Sequence, residues 1–276
     1  MNALITIAAK EFRDGLRNRW ATSATLVMAG LSLALAFLGS APTGHVGVPP
    51  LAVTVVSLAS LTVFLVPLIA LILSHDALVG EVERGTMLLL LTYPVRRWQI
   101  VMGKFLGHSL LLGVATTVGY GAAGCAAALA TPDAVSGGWM PFAVLIVTSV
   151  ALGTVFLALG YLISSLVAEH ATAAGVAVVL WLCFALLFDL GLLGFLATTG
   201  GQGVSATAFR WILMLNPTDI FRLINLTGVA EVRRYSGMAG LPALATIPLP
   251  TLVVAFAVWI GWPLVLTMAI FKRRPL

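Results

Sequence analysis

Residues 76–104 read DALVGEVERGTMLLLLTYPVRRWQIVMGK, from Asp76 to Lys104. The stretch holds Asp76, Glu81, Glu83, Arg84, Arg96, Arg97 and Lys104, seven charges out of the chain's 15 basic and 10 acidic residues. Long uncharged runs flank it on both sides, from Trp20 to His75 and from Phe105 to Pro132. The stretch therefore lies in water where its flanks cannot, and reads as a wet hinge between membrane spans.

Inside the hinge, Glu81 and Arg84 are three residues apart and can pair on one helical face, a contact worth a few tenths of a kcal/mol. The run Met87 to Leu91 is apolar but far too short to span, which suits a segment lying along the headgroups. Pro94 has no N–H to give a helix interior but suits a first turn, so a new helix is expected near Tyr93 with Thr92 as its cap. Arg96, Arg97 and Trp98 then anchor that helix at the interface before it enters the bilayer.

The composition around the hinge agrees. Sixty per cent of residues are apolar, 9% are charged and the mean hydropathy is +1.07, whereas a soluble domain carries roughly a quarter charged residues. This is an all-α polytopic membrane protein. The net charge of +5 resides in residues beside apolar runs and forms no exposed basic face, so nucleic acid is not a partner. Cys125 and Cys183 fall in different expected spans and read as small buried apolar residues, giving neither a disulfide framework nor a metal motif. Charges precede the first apolar run and no cleavage site follows it, so the N-terminus is expected to be retained.

In chain order, residues 2–19 space Ile5, Ile7, Ala8, Phe12 and Leu16 as a short amphipathic helix with a basic side, lying on the membrane surface. Six spans follow, over residues 20–38, 51–75, 101–130, 141–167, 171–197 and 251–271, and the hinge occupies 76–100. The third span is rich in small residues, among them Gly103, Gly107, Gly113 and Gly119, and should pack closely inside the bundle. Asp189 lies toward the outer end of the fifth span, where it can line a cavity or cap the outer loop. Residues 198–250 form the one long extramembrane segment, with two short helices, the second capped by Asn216 and ending near Gly228. With both termini and the hinge inside, eleven of the 15 Lys and Arg residues are cytoplasmic, as orientation by positive charge requires. Arg210, Arg222, Arg233 and Arg234 are the other four, and all fall in the long outer segment.

The sequence also limits the chemistry. The one Gly-Lys pair, Gly103-Lys104, lacks the upstream glycine of a phosphate-binding loop, so ATP and Mg belong to another chain and no cofactor is expected here. His45, His75, His108 and His170 read as lying at different surfaces without a catalytic partner, so the chain is not an enzyme. The eight methionines are scattered and no metal site is expected. Every expected span is uncharged at the bilayer centre, which disfavours an ion-coupled secondary carrier.

The hinge resembles the loop between the second and third spans of ABC-2 type transporter permeases. The residues that carry the resemblance are Glu81, Glu83, Arg84, Gly85 and Thr86, then Tyr93, Pro94, Val95 and Arg97, then Gly103, Lys104 and Phe105. It implies that residues 2–19 are an elbow helix and that the hinge is a coupling helix docking on a separate cytoplasmic ATPase. The ATPase contact is then expected at Glu81, Glu83, Arg84, Gly85, Thr86, Tyr93, Pro94 and Arg97. The start MNALITIAAKEFRDGLRNRW, the hinge, the segment LNPTDIFRL and the chain length further resemble the permease subunits that serve nitrous oxide reductase maturation. That resemblance implies a homodimer with two ATPase copies in the bacterial inner membrane, and a periplasmic accessory protein. The task implied is assembly of a copper-sulfur centre. Export of a drug, lipid or polysaccharide is the alternative within the family, and purely mechanical work on a periplasmic partner is a third reading. The outer segment is expected to engage that partner through Arg210, Asp219, Arg222, Arg233 and Arg234, with arginines suited to paired bonds with carboxylates.

Overall fold

A computed structural model describes residues 3–17, 19–38, 50–130, 139–199, 205–227 and 247–274. Every regular element among them is helical. The helices are α1 (Ala3–Arg17), α2 (Arg19–Leu38), α3 (Pro50–Ser74), α4 (Val79–Glu83), α5 (Thr86–Thr92), α6 (Arg97–Ala130) and α7 (Met140–Leu166). They continue with α8 (His170–Leu182), a π-helical turn (Cys183–Leu187), α9 (Phe188–Thr199), α10 (Ala206–Met214), α11 (Pro217–Thr227) and α12 (Leu249–Arg273).

Five of these are long and apolar enough to cross a membrane: α3, α6, α7, the continuous unit α8 to α9, and α12. In α2 the described apolar stretch is Thr25–Leu35. Helix α7 sits inside the bundle, where α3, α6, α11 and α12 all contact it and both Phe156 and Tyr161 are wholly buried. The α8 to α9 unit lies at the other extreme, with Val178, Val179, Leu190 and Leu193 exposed along it. Cys125 and Cys183, expected to be buried, also face outward. On a membrane helix the outward face meets lipid, which suits a small apolar side chain as well as the core does.

The amphipathic N-terminal helix has a partner that its own pattern does not reveal. A Cβ on Gly103 would stand 2.8 Å from Ile7 Cβ, and one on Gly107 would stand 2.7 Å from Glu11 Cβ and 2.8 Å from the Ala8 carbonyl. Gly15 meets Leu111 in the same way. Contacts therefore advance four residues at a time in both helices, so α1 runs alongside the first turns of α6 and in the same direction. At 1.5 Å per residue the 34 residues of α6 reach about 50 Å, well beyond the roughly 30 Å of a hydrocarbon core. Its extra length supplies the surface on which α1 docks.

Two expectations about local structure need correction. The helix after the hinge begins at Arg97 and not near Tyr93, and Thr92 is the last residue of α5 and not a cap. The residue before a proline is driven out of the helical region, and Tyr93 is accordingly extended (φ −80°, ψ 154°). Its carbonyl accepts from Val95 N at 2.7 Å, closing a three-residue turn centred on Pro94. Gln99 Oε1 then accepts from Arg96 N at 2.9 Å and so starts α6.

Gly107→Ala should destabilise the chain by about 1–3 kcal/mol, since the added methyl group meets backbone. Gly121→Ala, which points into open space, should be neutral or stabilising by up to about 1 kcal/mol. Thermal unfolding of the two variants in detergent checks the contrast.

Candidate functional site

The hinge forms one end of the bundle and is bonded to α6, α7 and α8. Helix α4 has no cap of its own. Ser164 Oγ, from the end of α7, accepts from both Leu78 N and Val79 N at 3.0 Å, satisfying donors that a helix start leaves open. Glu83 Oε1 accepts from His170 N at 2.7 Å, so a hinge carboxylate sits on the N-terminus of α8, where a negative charge is favoured. Gly85 joins α4 to α5 in the left-handed conformation (φ 70°), which an L side chain adopts only at a cost of about 1–2 kcal/mol. Thr86 Oγ1 donates back to Glu81 O at 3.2 Å and steadies the same corner.

Two arginines tie the helix ends on this side. Arg97 reaches the carbonyls of Phe271, Lys272 and Arg274 at 2.9, 3.3 and 2.8 Å, where a cation suits the C-terminus of α12. It is thus more than an interfacial anchor. Arg274 in turn donates to the carbonyls of Ser164, Ser165 and Val167 at 3.3, 3.4 and 2.8 Å, closing the end of α7.

The expected Glu81 to Arg84 pair does not form. Arg84 terminates α4 and pairs with Asp76 at 3.4 Å, while Glu81 turns inward to Lys104 Nζ at 2.7 Å. Lys104 is 4% exposed and also holds Glu11 Oε1 at 2.9 Å. One buried ammonium thus joins the hinge, α6 and α1. His108 Nε2 lies 3.6 Å from Glu11 Oε2, and its Nδ1 bonds the Tyr161 hydroxyl at 2.8 Å. Burial alone would raise the Glu11 carboxyl, but the Lys104 charge and hydrogen bond, with His108 and Lys10, hold it below its ordinary value. A cavity of about 400 Å³ opens beside this group, lined by Lys10, Glu11, His75, Asp76, Glu81, Arg84 and His170 among others.

The histidines also depart from expectation. His75, His108 and His170 come to the same end, because antiparallel spans bring the end of α3 and the starts of α6 and α8 together. His170 Nδ1 lies 3.0 Å from Asp76 Oδ1, and the His75 and His170 rings are 5.2 Å apart. Among the described residues no group of three or more His, Cys, Asp or Glu could hold a metal ion. His45 lies outside the described residues.

What points away from the bundle is apolar. Leu88 is 56% exposed, Leu89 65% and Tyr93 67%, while Met87 beside them is fully buried. The expected hinge residues thus divide. Glu81, Glu83, Arg84, Gly85, Thr86 and Arg97 hold the corner in shape, whereas Tyr93 and the exposed Pro94 form its outer surface.

At the far end, α11 packs into the bundle. Asn216 caps it by accepting from Thr218 N at 3.0 Å, and Asn216 Nδ2 and Thr218 Oγ1 reach Phe184 O at 3.0 and 3.4 Å. That carbonyl belongs to the π turn, where the regular helical bonding is interrupted. Asn225 Nδ2 donates to Thr148 Oγ1 of α7 at 2.8 Å. Of the residues expected to meet an outer partner, Asp219 and Arg222 turn inward, with Arg222 Nη1 bonding Asp189 Oδ2 at 2.6 Å and Asp219 Oδ1 at 3.1 Å. Arg210 is half-buried on α10, and Arg233 and Arg234 lie outside the described residues.

A bundle of membrane-length helices with a braced, charged hinge at one end defines a multi-pass membrane protein. The chain belongs to the ABC-2 family of transporter proteins, whose pattern it matches over residues 5–276, and is a permease subunit of an ABC transporter. Its relatives include proteins named probable ABC transporter permease protein NosY. The one from Pseudomonas aeruginosa is 45% identical over 277 residues, covering 100% of each chain. The one from Stutzerimonas stutzeri is 45% identical over 275 residues, covering 99% of each.

The depressed Glu11 value has a pH consequence with a definite sign. The stabilisation from Glu11 is complete above its unfolded value of about 4.5 and is lost as pH falls through the lower folded value. The stability difference between wild type and Glu11→Gln should therefore be constant near neutrality and shrink toward zero in acid. Denaturation midpoints measured against pH in detergent check this.

Proposed function

We propose that this chain receives work from a separate cytoplasmic ATPase at the hinge and passes it into the membrane bundle. ATP and Mg are then held by that partner. In this reading the hinge and both termini are cytoplasmic, and two copies of the chain assemble with two copies of the ATPase in the inner membrane. The observation that carries the reading is the two-sided character of the hinge. Its outer surface is the apolar knob of Leu88, Leu89 and Tyr93, suited to an apolar groove on a soluble partner. Its inner side is bonded to α6, α7 and α8, and α6 in turn holds α1 through Lys104 and α12 through Arg97. A load on the knob is thereby shared by the bundle and not absorbed in a loop.

The full-length similarity to proteins named NosY supports a role in maturing the copper-sulfur centre of a periplasmic nitrous oxide reductase. A periplasmic partner would then meet the far end. Asp219 and Arg222 are engaged within the bundle, which leaves Arg210 and the stretch containing Arg233 and Arg234 as the proposed contact.

Leu89→Asp combined with Tyr93→Asp should abolish co-purification of the ATPase subunit and leave the thermal stability of the chain within about 1 kcal/mol of wild type, because both side chains are exposed. Glu83→Gln, by contrast, should weaken the corner while sparing the knob. An ATPase that still co-purifies in full with the double variant would place its docking surface elsewhere.

A further inference from the structure

We propose that Asp219 is a proton-binding site at the far end of the bundle, where one guanidinium faces two carboxylates and the unpartnered oxygen takes the proton. Arg222 Nη1 bonds Asp189 Oδ2 at 2.6 Å and Asp219 Oδ1 at 3.1 Å. The Asp219 side chain is 8% exposed, against 26% for Asp189, and its Oδ2 is buried with no hydrogen-bond partner among the described residues. One positive charge cannot balance two carboxylates in a desolvated site. The more exposed Asp189 holds the shorter bond to the arginine, so the proton goes to Asp219, forming an O–H bond at Oδ2.

Neighbouring elements bring little that could change this balance. Helices α3 and α7 contain no Asp, Glu, Lys or Arg, and α12 carries Lys272 and Arg273 only at the hinge end. Helix α10 carries Arg210, and the α8 to α9 unit carries Asp189, the outward-facing thiol of Cys183 and, at the hinge end, His170. Position on α11 works against protonation, because a first-turn carboxylate is favoured when ionised. Asn216 nevertheless performs the capping, which leaves Asp219 without that role. Burial and then the Asp189 charge push the Asp219 carboxyl up to about 6, outweighing Arg222 and Asn216.

The proton determines how firmly α11 is seated. With Asp219 neutral, Arg222 and Asp189 cancel, and α11 stays bonded to the π turn through Asn216 and Thr218. With Asp219 ionised, the excess negative charge favours states in which α11 lifts and hydrates it. Because the seated value is the higher one, seating is strongest in acid, weakens as pH rises through about 6, and is constant beyond.

Amide hydrogen exchange of α11 in the full-length chain in lipid nanodiscs tests this. The ratio of wild-type to Asp219→Asn exchange removes the intrinsic pH dependence of exchange. Between about pH 5 and about pH 7.5 the ratio should rise about tenfold. Asp189→Asn, which frees Arg222 for Asp219, should flatten the wild-type slope, and this arm needs no Asp219 variant to fold. A ratio that stays constant, or a slope that Asp189→Asn leaves unchanged, overturns the proposal.

Discussion

The hinge depends on one buried ammonium. Lys104 lies at 4% exposure between Glu81 of the hinge and Glu11 of α1 and joins both segments to α6. Removing a single partner from such a buried set is costly, about 3–5 kcal/mol, because the remaining charges are left unpaired. The arrangement exists because Gly103 and Gly107 let α1 approach α6 at backbone distance, which brings Glu11 within reach of the lysine. Packing and charge therefore reinforce each other: the glycine notch positions the carboxylate, and the ion pair holds the notch closed.

Around that point the helix ends are closed by groups from distant parts of the chain. Ser164 serves the start of α4, Glu83 the start of α8, Arg97 the end of α12 and Arg274 the end of α7. Each bond satisfies a helix terminus that would otherwise need water, and those of Ser164 and Glu83 also fix the hinge relative to α7 and α8. The far end is built differently. There α11 is seated on the interrupted turn of the fifth expected span through Phe184 O, and its one arginine is shared by two acids. At the hinge end Lys104 holds two carboxylates and Lys10 adds a second cation at Glu11, whereas at the far end Arg222 faces Asp189 and Asp219.

Much of this was legible in residue order. The cluster of charges between uncharged runs marks the hinge, Pro94 marks a break in it, the glycines of α6 announce a close contact, and Asn216 before Pro217 announces a cap. What could not be read is which charge meets which. Glu11 and Lys104 are 93 positions apart, and helical spacing alone favoured Arg84 as the partner of Glu81. The convergence of His75, His108 and His170 needed the tertiary arrangement of the spans. Cys125 and Cys183 were misplaced because lipid-facing and core-facing surfaces have nearly the same composition. Arg222 was expected to face a partner because an arginine outside the spans looks available until its carboxylates are located.

The most direct test of the account is a double-mutant cycle between Lys104 and Glu81 in the full-length chain, using Lys104→Met and Glu81→Gln and measuring unfolding free energy in detergent. If the buried ammonium is what fixes the hinge, the coupling energy should be about 2 kcal/mol or more. The exposed pair Arg84 and Asp76, measured in the same way, should give about 0–1 kcal/mol. Equal coupling energies for the two pairs would contradict the account.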